Sequence, residues 1–404
     1  MMEIKSAIEP PAKIKVIGVG GGGGSAVNRM IKSSIRGVEF LVANTDEQAL
    51  VNSQAPVKIQ IGKTITKGLG AGMDPEMGMK AAEESQNEIR DALAGAHMVF
   101  ITCGLGGGTG TGACPIVAEL ARDIGALTIA IVTKPFTFEL SSRKQIAEKG
   151  WDELASKVDA IITIPNDKIL QIVDKKTPAI DAFQLADEIL QQGVRGISEI
   201  ITVTGIINVD FADVKRIMKN SGSAIMGIGR ATGDNRAVEA AKMAISSPLL
   251  DLSIEGAKGV LFTVTGGPNL AMYEIQEAAK IITSSADPEA DVIFGTIIDE
   301  TLGDELHVTV IATGFSDRDV VVSKAAATSY DKTYADRPTP AYPLNQGLFN
   351  PPTPRTILPK SQPKEEIRKT RIEEALQQQQ QQSPATDDAD DELEIPAFIR
   401  KKMM

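Results

Sequence analysis

Aromatic residues, histidines, cysteines and long apolar runs are all scarce in this chain. Aromatics make up 4% of 404 residues and Trp151 is the one tryptophan, so with 42% hydrophobic residues any core must be aliphatic and alanine-rich. The two cysteines, Cys103 and Cys114, sit in neither a CxxC nor a zinc spacing. That argues against a disulfide framework and fits a reducing cytoplasm. The two histidines, His97 and His307, each flank a predicted strand and offer no plausible catalytic base. No uninterrupted apolar run approaches the ~18 residues a membrane span needs. Residues 1–12 read as a flexible N-terminus without the apolar core of a signal peptide. A net charge of −11 lacks the basic face of a non-specific nucleic-acid binder, and no specific nucleic-acid partner is expected.

Glycine, in contrast, is abundant, with 36 residues. Up to about residue 317 short apolar strands alternate with helical patterns. Strands are predicted over 14–19, 38–43, 98–102, 127–133 and 159–164. Helices are predicted over 26–33, 76–93, 114–124 and 141–157, the second with a start signal at Asp74-Pro75. This alternation implies a mainly parallel sheet covered by helices on both faces. A long helix starts near 178. Beyond it, a helix after Phe211 and strands over 260–265 and 307–313 suggest a second, smaller α/β domain. From 318 the chain turns polar, with a stretch rich in Pro, Thr, Ser and Asn at 333–363, a glutamine run at 377–382 and an acidic run at 387–394. Such a composition buries too little apolar surface to offset its ordering entropy, so 318–391 reads as a disordered linker. As a flexible coil, 331–391 would span roughly 40–50 Å. Apolar character returns in the terminal peptide, 392–404, the position of a docking motif.

Two glycine clusters carry the chemistry. The first, Gly18-Val-Gly-Gly-Gly-Gly-Gly-Ser25, lies between a strand and a helix, where glycine lets a phosphate approach backbone N–H groups. It contains a GxGxxG pattern, so a dinucleotide-binding oxidoreductase is one reading and a tight structural turn another. The second, Gly104 to Gly112, repeats the strand–loop–helix arrangement. A dinucleotide fold has no use for a second phosphate loop, and neither cluster carries the GKS/GKT of a Walker-type NTPase.

The run GGGTGTG at 106–112 resembles the signature loop of the tubulin and FtsZ superfamily. The likeness to FtsZ, the tubulin-like GTPase of bacterial cell division, extends over about 13–316. It includes IKVIGVGGGG at 14–23, ANTD at 43–46, GLGAG at 68–72, TKPFTFE at 133–139 and IPND at 164–167. It continues through DAFQLAD at 181–187, NVDFADVK at 208–215 and VTVIATGF at 308–315. The resemblance implies a two-domain tubulin/FtsZ-like α/β fold. Its parts are a Rossmann-like GTP-binding domain (13–177), a central helix (178–204), a smaller C-terminal domain (205–317) and the tail. It also implies a cytoplasmic, mid-cell GTPase that polymerises head to tail on GTP. The β-branched run 200–209 reads as a strand on propensity; the resemblance makes it helical to about Val203.

Residue roles follow from the same likeness. Gly21, Gly22, Gly23, Gly24, Ser25, Gly108, Thr109 and Gly110 would cradle the phosphates of GTP or GDP. Ala71 and Gly72 would close over the γ-phosphate, and Asn44 and Asp46 would lie near the phosphates and a Mg²⁺ held mainly by them. Glu139 and Arg143 would hold ribose and phosphates; read alone, they are a surface ion pair. Asn166 and Asp187 would read guanine with Phe183 stacked on the base, although Phe183 alone reads as a core aromatic. Asn208, Asp210 and Asp213, alone a solvated turn, would serve the neighbouring subunit's nucleotide. In EIPAFIRKK at 394–402, Ile395, Pro396, Phe398 and Ile399 would dock on a membrane-tethering division adaptor. Ser25 and Asp74 depart from the family, which commonly has Asn at both positions.

Overall fold

The computed structural model describes residues 12–173, 176–203, 205–247 and 254–315. Ten strands form one sheet. They are β1 (Ile14–Val19), β2 (Val38–Asn44), β3 (Val57–Gln60), β4 (Met98–Gly104), β5 (Leu127–Lys134), β6 (Ala160–Pro165), β7 (Gly222–Ala231), β8 (Gly259–Gly266), β9 (Asp291–Ile298) and β10 (Leu306–Thr313). Their order is β3-β2-β1-β4-β5-β6-β7-β10-β8-β9. The first six are mutually parallel, and β7 joins β6 in parallel through the pairs Ala160–Gly222 to Ile162–Ala224. Only in the second half does direction alternate: β10 runs antiparallel to both β7 and β8. The mainly parallel α/β reading from the sequence therefore holds.

Helices α1 (Gly20–Lys32), α2 (Glu47–Val51), α3 (Lys63–Thr66), α4 (Pro75–Glu84), α5 (Gln86–Leu93) and α6 (Gly108–Asp123) belong to the first half, with α7 (Ser141–Lys157) and α8 (Asn166–Ile169). They are followed by α9 (Ala179–Thr202), α10 (Phe211–Met218), α11 (Arg236–Ile245) and α12 (Met272–Ser284). Strands covered on both faces must be apolar at successive positions, and these are. Val16, Val42, Phe100 and Ile129 enter one core with Val27 and Met30 of α1 and Leu190, Val194 and Ile197 of α9. Ile17, Leu41, Ile101 and Ala130 enter the opposite core with Ala81 of α4, Ile89 of α5 and Val117 of α6. A third core joins α11 and α12 to β8 and β10. Buried side chains are overwhelmingly aliphatic, as the shortage of aromatics requires. Helix α9 belongs to the first core, which also takes in Met226 of β7, Leu261 of β8 and Ile311 of β10. It is thus the element against which both halves of the sheet pack.

Two boundaries differ from the sequence reading in ways that matter for the site. The helices after the glycine clusters begin inside those clusters, at Gly20 and Gly108, rather than at residues 26 and 114. The single helix predicted over 76–93 is broken at Ser85, whose hydroxyl accepts the Gly62 N–H at 3.2 Å.

Candidate functional site: a nucleotide cleft at the strand ends

In the order β3-β2-β1-β4-β5-β6 all strands are parallel, but the order of winding reverses between β1 and β4. Ligands of open α/β sheets bind at such a switch point, beyond the carboxyl ends of the strands. A cleft of about 680 Å³ lies here, and both glycine clusters line it. Helix α1 starts after Val19 and α6 after Gly107. Neither has an acidic residue in its first turn or a side-chain cap on its free N–H groups. Two uncapped helix N-termini on one cleft suit an anion with several oxygens. The loops touch: a Cβ on Gly20, whose φ is +71°, would stand 2.9 Å from the Gly110 nitrogen. Gly21 and Gly107 also line the cleft, yet a Cβ there would meet no protein atom within 4 Å. The protein's own packing does not require glycine at these two positions, and the space above them is open to the cleft.

At the other end α9 begins, placing Phe183, Ala186, Asp187 and Leu190 on the wall. Phe183 is 49% exposed, with Phe136 packed edge-on against it at 5.4 Å, so it is not a core aromatic. Asn166 is buried, and its Oδ1 lacks any hydrogen-bond partner. Asp187 stands 3.8 Å from Arg29. Burial pushes its carboxyl up to about 6 against the pull of Arg29, and Glu188 adds to the rise. Glu139 accepts from the Phe136 N–H and from Arg143, so the pair is built into the wall rather than lying on a free surface. An orphan amide oxygen and a half-buried carboxylate together call for a ligand edge carrying donors.

The family model described as "Tubulin/FtsZ family, GTPase domain" matches residues 13–174, and that described as "FtsZ family, C-terminal domain" matches residues 222–316. FtsZ from M. jannaschii, solved as an empty dimer, is 46% identical with a TM-score of 0.73, over 75% of this chain and 88% of that one. This chain belongs to the FtsZ family. A mutant of the M. jannaschii FtsZ, with one tryptophan replaced by tyrosine, matches at the same identity and TM-score over 75% of this chain and 91% of its own length. At 21% identity, CetZ1 from Haloferax volcanii, a GDP-bound monomer, shares the fold with a TM-score of 0.66, over 79% of this chain and 100% of that one.

Most residues singled out by the FtsZ likeness line the cleft: Gly21, Gly22, Ser25, Asn44, Asp46, Gly108, Thr109, Gly110, Glu139, Arg143, Asn166, Phe183 and Asp187. Gly23 does not, because it packs against the Thr102 carbonyl and holds α1 to β4. Gly24 opens on a neighbouring recess with Asn28 and Ser53. Gly70 of the GLGAG stretch and Met73 just after it form the wall, whereas Ala71 is buried behind it and Gly72 does not line the cleft. Lys67, Gly68, Gly70, Gly72 and Met73 all have positive φ. The three glycines adopt this backbone freely, whereas Lys67 and Met73 hold it at a cost, in a loop that borders the cleft. Asp74 caps α4 by accepting the Glu76 N–H at 3.0 Å, a role that Asn would fill equally well.

Asn208, Asp210 and Asp213 are not on the cleft wall. Asn208 accepts the Gly205 N–H at 2.6 Å, Asp210 is exposed before α10, and Asp213 is half-exposed in its first turn. Ile395, Pro396, Phe398 and Ile399 lie outside the described residues. The sequence reading missed Thr45, whose hydroxyl is 2.6 Å from that of Thr109, although it stands inside ANTD. It also missed Arg29, which no spacing signals.

Proposed function

We propose that this chain binds GTP in the cleft, polymerises head to tail and hydrolyses GTP within the filament, which builds the cytoplasmic division ring at mid-cell. The α1 and α6 N-termini take the phosphates, Phe183 stacks on the base, and Asn166 and Asp187 accept from its donor-bearing edge. Guanine presents N1–H and a 2-amino group side by side, and adenine does not. Mg²⁺ bound to the phosphates would neutralise charge on the leaving group. Asn44 and Asp46 are oxygen-bearing side chains on that wall, beside Ser25 and Thr109.

The observation that carries the polymer reading is a separation. Asp187 meets the cleft near the start of α9, and the helix runs on to Thr202 before the chain turns towards Asp210. Fifteen residues of helix advance about 23 Å. The carboxylates at 210 and 213 are therefore remote from their own chain's nucleotide, and a neighbouring subunit is the means by which they would meet one. A head-to-tail contact of this kind does not close on itself and yields a filament. The test is 90° light scattering with GTP, GDP and NADH. Scattering that rises with GTP alone supports the proposal; a rise with NADH, or none with GTP, overturns it.

The terminal peptide would tether the filament to membrane-bound division adaptors, and none of the described helices is long and apolar enough to cross a membrane. Truncation at about residue 385 is expected to leave GTP-driven scattering unchanged and to abolish adaptor binding. Equal adaptor affinity for the truncated and full chains would refute the tether.

A further inference from the structure

We propose that Arg29 is a positioning residue for guanine recognition: from the last turn of α1 its guanidinium is the counter-ion that keeps the Asp187 carboxylate ionised towards the base. The proposal rests on the reading that Asp187 meets guanine.

The geometry begins with α1 itself. Its N-terminus borders the phosphate end of the cleft, and Arg29 follows Gly20 by nine residues, about 13 Å along the helix axis. One rigid helix therefore supplies N–H groups at one end of the nucleotide and a guanidinium at the other. Arg29 Nε lies 3.8 Å from Asp187 Oδ2, and Nη1 lies 3.5 Å from Glu188 Oε1. Nε is buried and makes no hydrogen bond. Arg29 thus stands between two carboxylates as a counter-ion, too far from Asp187 for a hydrogen bond. The Arg29 and Asp187 side chains are 27% and 21% exposed, so solvent screens the pair less than it would a surface pair.

The other charges around Asp187 are already engaged or stand further off. Asp167 of α8 is bonded to Thr137, Lys134 of β5 lies over the Trp151 ring, and Glu139 and Arg143 face each other. Asp46, on the cleft wall, accepts from two N–H groups of α2. The two charges bearing directly on Asp187 are Arg29, which favours its ionised form, and Glu188, which opposes it. Recognition needs that ionised form, because a protonated carboxyl would present a donor to a donor edge. Without Arg29, burial and Glu188 act unopposed, and part of the population is neutral at physiological pH.

The experiment measures GDP affinity by calorimetry from about pH 5 to 9 for wild type, R29Q, R29K, E188Q and D187N. GDP is the probe because assembly then does not intervene. Its phosphate titrates in the same range but identically for every variant. Wild type should weaken below about pH 6, where Asp187 protonates. In R29Q the break should move up by roughly one unit, as expected for loss of a nearby opposite charge. Its GDP affinity should then be about fivefold below wild type at pH 6 and close to wild type at pH 8.5. R29K, which keeps the charge, should restore the wild-type break, and E188Q should move it down. A purely structural role for Arg29 would weaken binding equally at all pH values. If D187N removes the break while R29Q and E188Q leave it in place, the Arg29 proposal is wrong and the base reading survives. If D187N leaves affinity and break unchanged, the base reading fails and takes this proposal with it. Should R29Q not fold, E188Q decides: an unmoved break overturns the proposal.

Discussion

Asp213→Ala is expected to bind GTP as tightly as wild type and to hydrolyse it about 10²–10⁴-fold more slowly, the usual worth of a positioned acid–base group. The basis is local geometry as well as family likeness. Asp46, Asp74 and Asp299 each precede a helix and accept a backbone N–H of its first turn. Asp210 occupies the same position before α10 but makes no such bond. It forgoes a cap worth about 1 kcal/mol and leaves an exposed carboxylate beside the half-exposed Asp213. Both carboxylates thus face outward on a short helix whose inner face, Val214, Ile217 and Met218, is anchored in the core. Groups presented this way suit the orientation of a water on a surface that arrives from outside.

The mutant should therefore act in trans. With wild type held at one concentration above its assembly threshold, added Asp213→Ala subunits would enter filaments and place inert loops over wild-type nucleotides. Phosphate release per wild-type chain should fall as the mutant fraction rises. Release that stays constant across mixing ratios would show that each chain completes its own site, and the interface mechanism would be wrong.

The first half of the fold was legible in the sequence because β1, β2, β4, β5 and β6 are short apolar runs bounded by turns. Their burial on both faces removes the ambiguity that alternating strands carry. The second half was less so. Strand β7, GSAIMGIGRA, is glycine-interrupted and is not among the expected strands, yet Gly229 is required because a Cβ there would strike the Ala240 carbonyl of α11. The same logic hid the helix starts. Gly108, Gly110 and Gly112 look like loop residues, and glycine in a helix costs about 1 kcal/mol each. Close neighbours require them: α4 crosses α6 where Gly112 abuts Pro75 and Gly78 abuts the Gly108 carbonyl, and Gly110 abuts the Gly104 and Val19 carbonyls. Close packing offsets propensity, and no window of the sequence shows the partner helix. At the end of α9, Ile197, Ile200 and Ile201 are helical against their β preference because the first core buries them. The site was legible to the extent that it is made of motifs. Arg29 belongs to none, and its role depends on a helix packed beside it rather than on its neighbours in sequence.

Asp187→Ala is expected to reduce GTP affinity by roughly 10–150-fold, the equivalent of a charged hydrogen bond worth ~1.5–3 kcal/mol. The preference for GTP over ATP should shrink with it, because the carboxylate favours the edge with two adjacent donors. Loss of folding is the competing explanation for any such result, and the sign of the carboxyl's pKa separates the two. Asp187 is pushed up to about 6 in the fold, from 3.8. A carboxyl raised on folding adds stability below its unfolded value and loses it as pH rises through the folded one, here between about pH 4 and 6. At neutral pH the ionised Asp187 is therefore a net cost to the nucleotide-free protein, on the order of 2–3 kcal/mol at most. Removing it should leave the nucleotide-free chain melting no lower than wild type at pH 7.5, while GTP binding weakens. The stabilising effect of added GTP should be reduced in parallel, since a ligand stabilises in proportion to its affinity for the folded state. The measurement is a pair of melting curves, with and without nucleotide, beside competition binding of GTP and ATP. An unchanged GTP/ATP ratio would mean that another group reads the base. A lowered melting temperature without nucleotide would mean that Asp187 serves the fold rather than the ligand.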